Sequence, residues 1–242
     1  MANDDKQMKL NSSISVEANN VQPNYCQCNI SCSCGQKKYN IIYADPAWNM
    51  GYVKGGLTAG SVKGGEVLPY QTMTDEEIMA MPIKDISADD ALLFMWVTDN
   101  RIPKIKELMA AWGFKYNSLA FIWNKITKCT TNQIDIFNEM ASEKVRTTLT
   151  PYTRRSCEYC FLGTKGSAID LIKDHYVLQY VAWASRSRKH SEKPDEVRKR
   201  IVKLCGDIPR VELFAREQKL GWDVWGNQVS NSIKLNAGNN YS

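Results

Sequence analysis

The sequence has no apolar stretch approaching the roughly 18 residues that cross a membrane; its longest clean run, Ala91-Leu92-Leu93-Phe94-Met95-Trp96-Val97, is strand-sized. A membrane protein is therefore not expected. The first residues, Met1-Ala2-Asn3-Asp4-Asp5-Lys6, lack the basic and apolar regions of an export leader, so the expected location is the cytoplasm. Histidine is scarce, with 2 residues, and His175 has no partner in sequence. A strong charge of either sign is also absent: 31 Lys and Arg against 26 Asp and Glu leave +5, an excess that suits a polyanionic partner without requiring one. The 8 cysteines, in a chain without a leader, read as reduced thiols rather than as a disulfide framework.

What is present reads as one globular domain with polar ends. With 242 residues, 43% hydrophobic and 24% charged, the chain can bury a substantial core. Residues 1–37, rich in Asn, Ser, Gln and Asp, are expected to form a flexible arm, 38–229 the domain and 230–242 a polar tail. Residues 38–44 are apolar and β-prone and stop at Asp45-Pro46, as a buried strand running into a loop would. A mobile Gly-rich loop is expected over 51–65, and Thr74 with Glu77 fits a capping box at the start of a helix. The period then alternates. Strands are expected at 91–97, 118–123, 157–163, 177–184, 211–214 and 222–225, and helices at 102–112, 168–173 and 194–204, with Gly113 and Gly206 as stops. This predicts an α/β fold with a mostly parallel sheet covered on both faces.

In such a sheet, ligands gather at the carboxyl ends of the strands. Asp45-Pro46-Ala47-Trp48 stands at one of them. A carboxylate, a carbonyl whose direction proline fixes and an exposed aromatic plate are the parts needed to act on a planar exocyclic amine. The 6-amino group of adenine is a poor nucleophile because its lone pair is delocalised into the ring. Hydrogen bonds from it to Asp45 and to the Pro46 carbonyl would favour the pyramidal nitrogen that attacks a sulfonium methyl, with Trp48 stacked on the extruded base. The same four residues also suit an ordinary Asp-Pro turn followed by a packed Trp.

A second constellation lies downstream. The segment His190…Lys193-Pro194…Glu196 opens a helix, Glu212-Leu213-Phe214-Ala215-Arg216 closes a strand, and Gly221-Trp222-Asp223-Val224-Trp225-Gly226-Asn227-Gln228 closes another. Lys193 and Arg216 suit a carboxylate or a ribose, and Asn227 and Gln228 suit hydroxyls and base edges. Glu212 to Arg216 carries no glycine-rich loop, which argues against a nicotinamide or flavin dinucleotide.

In this order, the three motifs resemble those of the MT-A family of adenine-N6 methyltransferases over roughly residues 38–229. The resemblance implies a Rossmann-like methyltransferase fold with permuted motif order, the catalytic motif preceding the cofactor-binding one. It also implies S-adenosylmethionine as cofactor and methyl transfer to the 6-amino group of adenine in nucleic acid. By motif matching, Asp45, Pro46 and Trp48 would be catalytic. Asp45, Lys193, Glu212, Phe214, Arg216, Gln218, Lys219, Asn227 and Gln228 would hold the cofactor. The chain departs from the commonest family motif in carrying Ala47 where a second proline is usual, and no acidic residue ahead of the first strand aligns with the family's upstream cofactor contact.

Cys26, Cys28, Cys32 and Cys34 supply four thiols, but Cys-x-Cys pairs so close together leave little chain to wrap a zinc ion, and no metal is expected. Lys125, Arg155, Arg186, Arg188 and His190, with Lys128 and Arg154, fall in segments that emerge at the same strand ends as Asp45. Singly each suits a solvated face; collectively they suit phosphate contacts. DNA is the expected substrate, because the chain is compact and carries no appended RNA-binding module. RNA, or the role of a catalytically silent subunit, is the alternative. A homodimer or a heterodimer with a paralogue, nucleoid association in a bacterium and a role in restriction–modification complete the expectations.

Overall fold

The computed structural model describes residues 37–49, 72–126, 148–149, 152–184 and 192–235. Among the described residues nine strands follow one another: β1 (Tyr39–Ala44), β2 (Ser87–Val97), β3 (Lys115–Ile126), β4 (Thr148–Leu149), β5 (Arg154–Arg155), β6 (Cys157–Lys165), β7 (Tyr180–Ala184), β8 (Arg210–Leu213) and β9 (Asp223–Trp225). Seven of them form one sheet in the order β7-β3-β6-β2-β1-β8-β9, and β4 and β5 form a separate two-stranded ribbon. Within the large sheet β1–β2, β1–β8, β8–β9 and β3–β7 are parallel, whereas β6 runs antiparallel to both β2 and β3. The fold is therefore the expected Rossmann-like α/β arrangement with a mostly parallel sheet, and one reversed strand lies inside that sheet. Because β6 is reversed, it begins where its neighbours end.

Three α-helices among the described residues pack on this frame: α1 (Asp75–Met79), α2 (Ile105–Ala111) and α3 (Asp195–Cys205). Thr74 and Glu77 form the capping box of α1: the Glu77 N–H donates to Thr74 Oγ1 at 3.1 Å, and the Thr74 N–H donates to Glu77 Oε2 at 2.8 Å. The helix expected over 102–112 divides into a 3-10 segment, Asp99–Lys104, and α2. Pro103 supplies no N–H inside the first part, and Gly113, at φ 84°, ends the second. Ala168–Leu171 is a single 3-10 turn, shorter than the helix expected there. Pro194 precedes α3 and Gly206, at φ 79°, closes it with its N–H 2.7 Å from the Val202 carbonyl.

The strict alternation of a strand explains the two apolar layers. Ile42 and Ala44 face a cluster with Leu93, Met95, Leu108 and Trp112, under α1 and α2. Ile41 and Tyr43 face the other side with Phe94, Trp96, Val197 and Ile201, under α3. Both faces of β1 are thus covered, and the polar residues that follow it emerge at the rim.

Candidate active site

Asp45 is the first residue beyond β1, at the edge where β1, β2 and β8 end and β6 begins. Lys193 reaches it from just before α3: its Nζ lies 2.8 Å from Asp45 Oδ2, 3.2 Å from Glu158 Oε2 and 5.4 Å from the centre of the Trp96 ring. The Lys193 side chain is only 7% exposed, so one nearly dry ammonium bridges two carboxylates. Lys125 adds a second cation on Glu158 Oε1. Burial pushes the Asp45 carboxyl above its ordinary range, against the pull of Lys193 and Arg216. Burial also acts to raise Glu158, but Lys193 and Lys125 outweigh it and bring that carboxyl down to about 2. For Lys193, burial alone would lower the pKa; Asp45 and Glu158 hold it well above the ordinary lysine value.

Glu158 is not among the residues that the sequence singles out. The rule that ligands meet the residues following each strand passes over it, because it opens the reversed strand. Its one local signal is a charge inside the otherwise strand-like run Cys157-Glu158-Tyr159-Cys160-Phe161.

The turn after β1 is tied down on several sides. The Trp48 N–H donates to the Pro46 carbonyl at 2.8 Å, the Met73 N–H to the Ala47 carbonyl at 2.8 Å, and the Asn49 N–H to the Met73 carbonyl at 3.0 Å. Trp48 is not the exposed plate expected from sequence. It is 6% exposed, its indole N–H donates to the Trp96 carbonyl at 3.3 Å, and the Arg101 guanidinium lies 5.4 Å from its ring. The packed-Trp alternative describes it, because the bridge to Met73 draws the ring into the apolar layer under α1. Arg101 also donates to Asp75 Oδ1 at 2.6 Å and to the Asn49 carbonyl.

The loops after β8 and β9 close the other side. Phe214 follows β8 at φ 61°, a left-handed conformation costly for a bulky residue, and stands edge-on to Trp225 at 5.5 Å. The Ala215 N–H donates to the Trp225 carbonyl at 3.0 Å, and a Cβ on Gly226 would meet the Ala215 carbonyl oxygen at 2.2 Å. Asn227 and Gln228 are exposed just beyond, and the half-buried Arg216 exerts its charge on Asp45.

Three expected cofactor contacts have other partners. Glu212 is buried and takes Arg198 in a two-pronged pair, Nε to Oε2 at 2.7 Å and Nη2 to Oε1 at 2.5 Å, so its carboxylate joins α3 to β8 instead of facing a ligand. Lys219 pairs with Glu217 at 2.6 Å and Asp195 at 3.1 Å, and Gln218 donates to the Trp222 carbonyl at 2.8 Å. Among the expected phosphate contacts, Lys125 is committed to Glu158, and Arg155 to Asp99 at 2.5 Å. Arg186, Arg188, His190, Lys128, the 51–65 loop and Cys26, Cys28, Cys32 and Cys34 lie outside the described residues. Among the described residues no group of His, Cys, Asp and Glu is arranged to hold a metal, and no helix is long and apolar enough to cross a membrane.

The MT-A70 family model matches residues 39–228. The chain is 30% identical over 212 residues to the Type II methyltransferase M.MunI of a Mycoplasma species, covering 83% of this chain and 82% of that protein. It is 28% identical over 195 residues to the N(6)-adenosine-methyltransferase catalytic subunit METTL3 of Homo sapiens, covering 79% of this chain and 28% of that one. The N(6)-adenosine-methyltransferase MT-A70-like protein of Drosophila melanogaster gives the same identity over 195 residues, with 27% of its length covered. The chain thus spans most of the first relative and little more than a quarter of the other two.

Proposed function

This chain belongs to the MT-A70 family of adenine-N6 methyltransferases, and from that premise we propose that it moves a methyl group from S-adenosylmethionine to the 6-amino group of adenine in DNA. The observation that carries the reading is the Asp45–Lys193 pair at the carboxyl end of β1.

Lys193 holds Oδ2 of Asp45 and leaves Oδ1 to accept one N–H of the amine. The Pro46 carbonyl already accepts the Trp48 N–H and keeps a second lone pair for the other. With both N–H groups engaged, the nitrogen lone pair withdraws from the ring and becomes nucleophilic. Burial strengthens Asp45 as an acceptor and as a place for the proton that the amine must lose, while Lys193 keeps the carboxylate ionised until then.

The donor set fits S-adenosylmethionine. Its cationic parts suit Asp45, its carboxylate suits Lys193 and Arg216, and its ribose hydroxyls suit the exposed amides of Asn227 and Gln228. When bound, the cofactor supplies an electrophilic methyl group. DNA is favoured because the chain matches M.MunI over most of both lengths. The test is transfer of label from the cofactor to matched DNA and RNA oligonucleotides by the full chain, with Asp45→Ala as control. DNA labelling that the control loses supports the reading. Preferential RNA labelling overturns the choice of DNA, and labelling of neither overturns the enzyme.

A further inference from the structure

We propose that the β4–β5 ribbon is a nucleic-acid wedge, in which the Tyr152 ring enters the base stack beside the target adenine and Arg154 meets the adjoining phosphate. The inference rests on the functional reading above and adds the step that reading leaves open, namely how an adenine inside a duplex comes to Asp45.

Placement is the first argument. Thr148 pairs with Arg155 and Leu149 with Arg154, so Tyr152 belongs to the connection between the two strands. Ser156 alone separates β5 from β6, and β6 begins at the Asp45 edge. Tyr152 precedes Glu158 by six residues. That separation keeps the two Cα atoms within about 20 Å of each other even at full extension. The root of the ribbon is fixed: Arg155 pairs with Asp99 at 2.5 Å, beyond the end of β2, and the Lys125 N–H donates to the Ser156 carbonyl at 2.9 Å.

Exposure is the second. Five large apolar side chains stand out from the described surface: Tyr152, Ile169, Tyr176, Leu178 and Leu220. Ile169 and Tyr176 lie on the connection that leaves the end of β6 on the rim opposite Asp45, and Leu178 stands just before β7, on the outermost strand of the sheet, with β3, β6 and β2 between it and β1. Leu220 adjoins Gly221, which sits against Arg210 at the start of β8, on that same far rim. Tyr152, 97% exposed, is the one of the five that leads into the first residues of β6, the strand carrying Glu158.

Charge is the third. Arg154 and Arg155 are neighbours on a strand and point to opposite faces. Arg155 is held by Asp99, while Arg154 is exposed on the other face. A stacking ring beside an exposed guanidinium is the pairing that proteins use where a base leaves its stack, the ring filling the gap and the cation holding the backbone.

The test uses the full chain, its Tyr152→Ala, Tyr152→Phe and Arg154→Ala variants, and a duplex with 2-aminopurine at the target adenine. The expected result is a fluorescence gain with the wild type and Tyr152→Phe that Tyr152→Ala loses. The ratio of duplex to single-strand kcat/KM should fall about tenfold in Tyr152→Ala, the scale of one lost base–aromatic stack. Arg154→Ala should weaken duplex binding and flatten its salt dependence. Equal fluorescence from all forms overturns the wedge, as does a Tyr152→Ala change in self-association without nucleic acid and with the ratio unmoved. The two readings fail separately. Fluorescence gain without methyl transfer by the wild type overturns the enzyme and keeps the wedge; transfer with an unmoved ratio overturns the wedge alone; neither signal overturns both.

Discussion

Lys193 meets Asp45 across 148 positions of sequence, with 2.8 Å between Nζ and Oδ2, and only the completed sheet brings the two together. The pair sets the charge state of the acceptor. Burial raises the Asp45 pKa and Lys193 is the largest influence opposing that rise. Removing the cation therefore moves the pKa further up.

The first prediction follows directly. In Lys193→Met the acid limb of the kcat/KM profile should move to higher pH, because Asp45 must be ionised to accept the amine. A displacement of at least about one pH unit corresponds to losing about 1.4 kcal/mol of charge interaction. Lys193→Arg should restore part of it. Profiles from pH 5 to 9 decide the matter, and a limb that stays in place removes the tuning role.

Glu158 supplies a prediction about stability. Its carboxyl falls from 4.5 to about 2 in the folded chain, chiefly because Lys193 and Lys125 outweigh burial. A depressed folded pKa contributes stability above the unfolded value, lost as pH falls through the folded one. Glu158→Gln should therefore cost up to about 3 kcal/mol at pH 7, with the gap to the wild type closing between pH 4.5 and about 2. Urea unfolding at pH 7, 4 and 3 measures it; a gap independent of pH would contradict the charge argument.

What could be read in the sequence follows from the range of the interactions involved. The strand ending at Asp45, the Thr74–Glu77 box and the Pro194-to-Gly206 bounds of α3 depend on neighbours within a few residues, and the structure shows each of them. The meeting of Asp45 with Lys193 was accessible only through the resemblance of separated motifs. Glu158 was hidden because strand direction is a property of pairing, which no local pattern records. Motif matching places Trp48 and Glu212. Their actual surroundings depend on Met73 and Arg198, which motif matching does not supply.

The Arg198–Glu212 pair yields a prediction that separates support from ligand contact. Breaking one side of a buried ion pair costs about 3–5 kcal/mol, whereas replacing both by apolar residues can be neutral. Glu212→Gln should lower the unfolding free energy by several kcal/mol while cofactor affinity, measured by calorimetry well below the melting point, changes less than about threefold. The double variant Arg198→Met with Glu212→Leu should recover most of the stability. A large loss of affinity without loss of stability would instead return Glu212 to the cofactor site.

Arg101 holds the turn that carries Asp45 and Pro46 without touching either residue. Its guanidinium spans Asp75, the Asn49 carbonyl and the face of Trp48, yet its Nη1 is buried without a hydrogen-bond partner. An unsatisfied buried donor costs about 1–3 kcal/mol, so the arrangement is poor as pure stabilisation and makes sense as positioning. A Pro46 carbonyl displaced by even about 1 Å would misdirect the second acceptor of the amine, an error that can lower rate about 100-fold. Arg101→Met should accordingly reduce kcat by at least about tenfold and leave the cofactor KM within about threefold. Arg101→Lys should rescue little, because a single ammonium cannot bridge Asp75 and Asn49 as a planar fork does. Steady-state kinetics beside thermal unfolding distinguishes the two roles: a variant that loses stability while its folded fraction keeps the wild-type kcat would show that Arg101 serves the fold alone.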